Sequence, residues 1–147
     1  MNVCDLIGSR REVYSIPETF TVHEAALYLR ERQVRSVGVL DAAGRLTGVV
    51  SQSDISDKVA AENKCPAWMR VTEIMSASEL VTVTPEESLD VCLRLMEQNG
   101  IYHLLVVDAG GVYRGMVSVS DLLRVSASNE KARADLLEAF IFERGTS

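Results

Sequence analysis

Val39-Leu40-Asp41-Ala42-Ala43-Gly44-Arg45-Leu46-Thr47-Gly48-Val49-Val50-Ser51-Gln52-Ser53-Asp54 returns, without a gap, as Val106-Val107-Asp108-Ala109-Gly110-Gly111-Val112-Tyr113-Arg114-Gly115-Met116-Val117-Ser118-Val119-Ser120-Asp121. Nine of the sixteen positions are identical, far above chance, so the chain is an internal duplication whose period is one supersecondary unit. A unit of that size is too short to bury a core alone. Two of them must bury apolar faces against each other, which predicts clefts related by an approximate two-fold axis between the copies.

Outward from the repeated stretch, the hydrophobic period changes in the same order in each copy. Val13 to Ile16 reads as a strand closed by Pro17, and Thr21 caps a helix with Val22, Ala25, Ala26 and Leu29 on one face. Val37 to Leu40 and Leu46 to Val50 flank Asp41 and Gly44, whose turn chemistry predicts a hairpin. Ser53-Asp54 opens a second helix toward Glu62. The second copy repeats this as a strand over Leu80 to Val83, a helix from about Glu86 to Gln98, hairpin strands Leu104 to Val107 and Val112 to Val117, and a helix from about Ser120. The expected fold is α/β (α+β): two tandem β-α-β-β-α units packed sheet to sheet with pseudo-two-fold symmetry, plus a C-terminal helix.

Pro66 breaks the linker Asn63 to Arg70, after which Val71-Thr72-Glu73-Ile74-Met75 matches the lead-in Val3-Cys4-Asp5-Leu6-Ile7. Residues 1–70 thus read as the first repeat with its lead-in and linker, 71–127 as the second, and 128–147 as a helical tail. In that tail Ala134, Leu137, Phe140 and Ile141 share a face, suited equally to packing on its own repeat or to a dimer contact.

With 147 residues, 47% of them apolar, the chain fits one globular domain, and no apolar run is long enough to span a bilayer. The first residues lack the basic and apolar regions of a secretory signal, so a cytoplasmic location is expected. Cys4, Cys65 and Cys92 are odd in number and far apart, which argues against a disulfide framework, a zinc site or an activated redox thiol. A formal charge of −6 spread along the chain disfavours nucleic acid as a partner and leaves room for a small anionic ligand held by local basic residues.

No nucleophile elbow, zinc-protease helix, phosphate loop or dinucleotide fingerprint is present, and His23 and His103 are the only histidines, so no enzyme activity is expected. What recurs is Gly48 to Asp54 and Gly115 to Asp121, where a strand ends in Ser and a helix opens at Asp three residues on. A hydroxyl, helix N-terminal amides and a carboxylate converge there, a set that suits a nucleotide: the carboxylate for a ribose diol, the hydroxyl and amides for phosphate. The same Ser-x-x-Asp spacing is also that of a capping box, in which both side chains satisfy orphan amides. Recurrence does not separate the two readings, because a duplicated cap recurs as well.

The pattern Val-Val-Asp-x-x-Gly-x-x-x-Gly, two apolar residues, Ser-x-x-Asp, present in both copies, resembles the tandem cystathionine β-synthase-type (CBS) domain pair, or Bateman module, over Val3 to Ala127. The resemblance implies a non-catalytic regulatory or sensor module, homodimeric, with clefts for an adenosine-containing ligand such as AMP, ATP, NAD or S-adenosylmethionine. Carried over by position, the ribose carboxylates are Asp54 and Asp121 and the phosphate-side hydroxyls Ser51 and Ser118. The adenine contacts are Val81, Ile101 and Tyr102 for the Asp54 cleft and Tyr14, Val34 and Arg35 for the Asp121 cleft. Family members often carry a cation three residues after the Asp. Arg124 meets that in the second copy, whereas Asp57 in the first would repel a phosphate. His103 stands where the family often has a basic residue. Gly38 and Leu105 replace a common proline, and Gly38 is expected to loosen the first copy. The Asp121 cleft is thus the better anion site, with a neutral nucleoside or nothing at Asp54. The alternative is a ligand-free module that binds an unidentified protein partner, its Ser-x-x-Asp pairs serving only as caps.

Overall fold

A computed structural model describes residues 2–8, 13–78 and 80–125; the expected C-terminal helix lies outside them. After α1 (Val3–Ile7), the first repeat runs β1 (Ser15–Pro17), α2 (Val22–Arg32), β2 (Ser36–Leu40), β3 (Leu46–Ser51) and α3 (Gln52–Ile55), which continues as a π-helical turn over Ser56–Ala60. The second runs β4 (Thr82–Val83), α4 (Leu89–Asn99), β5 (His103–Val107), β6 (Tyr113–Ser118) and α5 (Val119–Val125). Each repeat has one three-stranded sheet, with its first strand parallel and its third antiparallel to the middle one, as the duplicated β-α-β-β-α pattern requires.

Local chemistry explains most boundaries. Thr21 and Glu24 cap α2 reciprocally, and α4 begins behind Ser88, whose hydroxyl accepts from Val91 N at 3.3 Å. The hairpin turns are held by Asp41 and Asp108, each accepting two backbone N–H bonds of 2.9–3.0 Å, with Gly44 and Gly111 at φ of 80° and 81°. Three expected elements come out shorter, β1 among them, which begins at Ser15 rather than Val13 and takes in Pro17. α4 starts three residues later than its sequence suggests because Thr84 to Glu87 form a turn closed by Glu87 N donating to Thr84 O (3.1 Å), with the carbonyls of Pro85 and Glu87 accepting from Cys4 N (2.6 Å) and Val3 N (2.9 Å). β4 is two residues long, with Val81 reaching the ladder only through a 3.3 Å bond from Leu105 N.

Those bonds from α1 belong to a larger exchange. Val3 is fully buried in the second repeat's core beside Val83, Met96 and Leu104, with Leu6 and Ile7 packed against it. The matching lead-in, Val71 and Ile74, is buried in the first repeat's core beside Ile16, Leu29 and Val50. Ser76 and Val49 exchange backbone bonds of 2.8 and 2.9 Å, adding a short antiparallel bridge to the first sheet. Each copy's lead-in therefore completes the other copy's core.

Between the repeats, β2 meets β6. Gly38 does not loosen this contact, contrary to the sequence expectation: a Cβ there would stand 2.8 Å from Cζ of the buried Tyr113 ring. The missing side chain in one repeat is filled by the large one in the other. At the symmetry-related positions stand Leu105 and Leu46, so size is traded across the axis. Gly38→Ala should accordingly lower unfolding stability by about 1–3 kcal/mol through overpacking. In chemical denaturation, the double variant with Tyr113→Leu should lose less than the sum of the two single losses; strict additivity would mean that the two residues do not oppose each other.

Candidate functional site

The two Ser-x-x-Asp stretches form complete reciprocal caps. Ser51 Oγ accepts from Asp54 N (3.2 Å), while Asp54 Oδ2 accepts from Ser51 N (2.9 Å) and Ser51 Oγ (3.0 Å). Ser118 and Asp121 repeat this at 3.2, 2.8 and 3.0 Å. The helix starts are also fixed from below, by Gln52 N donating to Arg35 O (2.9 Å) and Val119 N to Tyr102 O (3.0 Å). The capping geometry left open by the sequence is thus realised, and it consumes Oδ2 of each carboxylate. The other oxygen, Oδ1, is the one a cap leaves for further chemistry.

Each Oδ1 has a cationic partner. Arg124 Nη2 pairs with Asp121, three residues before it. In the first copy the cation stands four residues on, with Lys58 Nζ 3.1 Å from Asp54 Oδ1. The pair has the i,i+4 spacing at which side chains on one helix face meet. The two cations differ in freedom. Lys58 also donates to Ile74 O at 2.9 Å, whereas the Arg124 side chain is 77% exposed.

Two clefts lie at the junction of the repeats, both within the range of small-molecule sites. The larger, about 850 Å³, has Tyr14, Val34 and Arg35 of the first repeat facing Ser118, Asp121 and Arg124 of the second, with His103 and Tyr102 on the wall between. The smaller, about 690 Å³, joins Ser51 to Val81, Ile101 and Tyr102, again with Arg35 and His103. The residues carried over as ligand contacts all line a cleft except Asp54, which is in the lining of neither. Tyr14 and Tyr102 flank rather than fill these spaces, and more than a third of each remains exposed. Tyr14 is braced edge-on by Tyr28 at 6.5 Å, itself covered by the Arg32 guanidinium at 3.9 Å.

Some lining residues were not legible beforehand. Arg114, paired with Asp108 at 3.7 Å, adds a third arginine to the larger cleft, and Ser53, Ser76 and Ser78 give the smaller one a hydroxyl rim. Arg114 lies inside the quoted repeat opposite Thr47, so comparison of the copies would have exposed it; Ser76 and Ser78 follow the lead-in and carry no repeat signal.

His103 has open surface along one edge, yet the cleft walls crowd its ring. Loss of water lowers its pKa below the ordinary histidine value; the nearby Arg35 lowers it further, and Asp121 works in the opposite direction. Burial also raises the Cys92 thiol to about 11, with Glu87 adding to the effect, which leaves it a poor nucleophile. Cys4 and Cys65 are exposed and free.

Comparison with known proteins agrees with this geometry. The CBS domain family profile matches residues 3–61 and 71–128. The CBS domain-containing protein YhcV of Bacillus subtilis is 31% identical over 125 residues, covering 85% of this chain and 86% of its own. A CBS domain protein from Pyrobaculum aerophilum, solved in complex with AMP, superposes with a TM-score of 0.74 at 26% identity, covering 83% of this chain and 90% of that one. The CBS domain pair of protein MJ0100, in complex with 5′-methylthioadenosine and S-adenosyl-L-methionine, shares the fold with a TM-score of 0.76 at 24% identity, over 87% of this chain and 97% of the other. The chain spans 59% and 60% of the lengths of the first two curated relatives that it matches.

A histidine with a lowered pKa in the folded state binds its proton less well than in the unfolded chain, so its contribution to stability is full above the unfolded value of about 6.5 and declines as pH falls through that value toward the folded one. The ligand-free protein should therefore lose melting temperature between pH 7.5 and pH 5.5 (roughly the range that brackets that value) by more than His103→Asn does. Parallel melting curves for the two proteins would rule this out.

Proposed function

The chain belongs to the CBS domain family, which it carries as a tandem pair, and on that premise we propose that it is a non-catalytic regulatory module binding an adenosine-containing ligand of the AMP, ATP or NAD type between its repeats. The observation that carries this reading is the Asp121 cleft. There a capped carboxylate with its second oxygen turned to an exposed arginine faces Tyr14 and Val34 of the other repeat, with Arg35 and Arg114 close by. Such a wall offers a ribose acceptor, flat and apolar surface for a base, and guanidinium groups for phosphate. Micromolar affinity asks for about 8 kcal/mol, within reach of base burial plus a charge-assisted ribose contact and one arginine–phosphate pair. The AMP complex of the Pyrobaculum protein supports the ligand class.

Because each cleft takes walls from both repeats, occupancy favours whichever repeat arrangement holds the ligand best and shifts the population toward it. A homodimer and a partner chain that reads the change belong to the same proposal, as does a cytoplasmic setting, supported by three free thiols. Trp68, 86% exposed behind Pro66, is an apolar group available to a protein partner.

The complete caps favour a second reading, in which these pairs only stabilise helices. Two variants separate the readings. Asp54→Ala and Asp121→Ala should each cost the ligand-free protein about 1 kcal/mol, the usual worth of a cap. AMP at a hundred times its Kd should stabilise the wild type by about 2.7 kcal/mol. Thermal shift should retain that gain in Asp54→Ala and lose most of it in Asp121→Ala. Equal retention in both variants would favour caps alone, and no response to AMP, ATP or NAD at millimolar concentration rejects the adenosine reading.

A further inference from the structure

The two clefts are not separate rooms. Arg35, Ser36, Tyr102, His103 and Met116 line both of them, so one wall serves two sites. It is built where β2 meets β6, and Ser36 Oγ donates to Met116 Sδ across the junction at 3.4 Å. Residues 35–36 and 102–103 occupy equivalent positions in the two copies, which puts this wall at the pseudo-two-fold axis. Duplication would have supplied the same residues twice, but the copies differ here, Arg-Ser against Tyr-His. The wall thus carries one arginine and one histidine in all.

The charges elsewhere are distributed unequally. Arg114 and Arg124 line only the Asp121 cleft. Among the described residues the Asp54 cleft has Arg35 and His103 and no other basic lining residue, Lys58 being tied to Asp54 and the Ile74 carbonyl outside the lining. Arg114, Arg124 and Lys58 each pair with a carboxylate, whereas Arg35 makes no ion pair with a described residue. Arg35 is therefore the cation that either cleft can recruit without first breaking a pair. The rest of the Asp54 cleft pairs apolar residues such as Val81, Ile101 and Leu105 with a hydroxyl rim of Ser51, Ser53, Ser76 and Ser78, which suits a base and sugar hydroxyls and supplies no charge against a phosphate.

We propose that the two clefts of one chain exclude each other for anionic ligands and accept a mixed pair, a nucleoside phosphate in the Asp121 cleft and an uncharged nucleoside in the Asp54 cleft. The proposal rests on the adenosine reading given above. A phosphate in the Asp121 cleft draws the shared wall's positive charge to itself. The second cleft is then left with hydroxyls and apolar groups to meet a ligand, and a second phosphate there would face the first across the common wall. An uncharged nucleoside makes no demand on Arg35 and is accommodated with the first site full.

The test is calorimetric titration of the full chain with AMP and with adenosine. One AMP should bind per chain, with a second at least about tenfold weaker, and the AMP-saturated protein should still take up one adenosine. Arg35→Gln should weaken AMP by about tenfold or more, the worth of a charged hydrogen bond. Two AMP molecules of equal affinity overturn the exclusion while leaving the adenosine reading intact. Failure of the AMP-saturated chain to take adenosine overturns the mixed pair, and absence of binding by either compound removes the adenosine reading and this proposal together.

Discussion

A three-stranded sheet with two short helices has too little apolar surface to stand alone, and the trade of lead-in segments resolves that shortage. Val3 enters the second core and Val71 with Ile74 the first, all but sealed from water. Burying such side chains is worth about 1.5–3 kcal/mol each, so neither repeat can separate without exposing part of both cores. The exchange also fixes where the repeats face each other. Backbone bonds from α1 to Pro85 and Glu87, and between Val49 and Ser76, set that relation at both ends.

The junction so formed is symmetric in backbone and unequal in side chains. Gly38 accepts the Tyr113 ring where the related positions hold two leucines, and Arg-Ser meets Tyr-His at the axis. Equivalent peptide geometry thus frames two clefts of different chemistry. One is rich in guanidinium groups and the other in hydroxyls. The unequal roles of the clefts grow from this difference, since the elements that frame them are the same.

Capping and binding, which compete as readings of Ser-x-x-Asp, divide the carboxylate between them in the folded protein. Oδ2 closes the helix N-terminus and Oδ1 faces a cation. A group already held in one rotamer by its cap has less freedom to lose when a ligand arrives, which is how a structural hydrogen bond helps a recognition site. The same economy holds for Arg35, whose carbonyl supports the start of α3 while its side chain lines both clefts.

The sequence by itself determined the repeat, the order of strand and helix, the hairpins and the caps, because each depends on residues a few positions apart: Asp41 with Gly44, Thr21 with Glu24, Ser51 with Asp54. The family pattern also fixed by position part of the lining of the two clefts, such as Tyr14, Ser118 and Asp121, though not Arg114, Ser76 or Ser78. Tertiary structure alone decided which core Val3 and Val71 enter, why α4 waits for Ser88, and that Tyr113 fills the space at Gly38. It also decided that one wall serves both clefts. Each of these joins residues distant in the chain, and local periodicity carries no record of that.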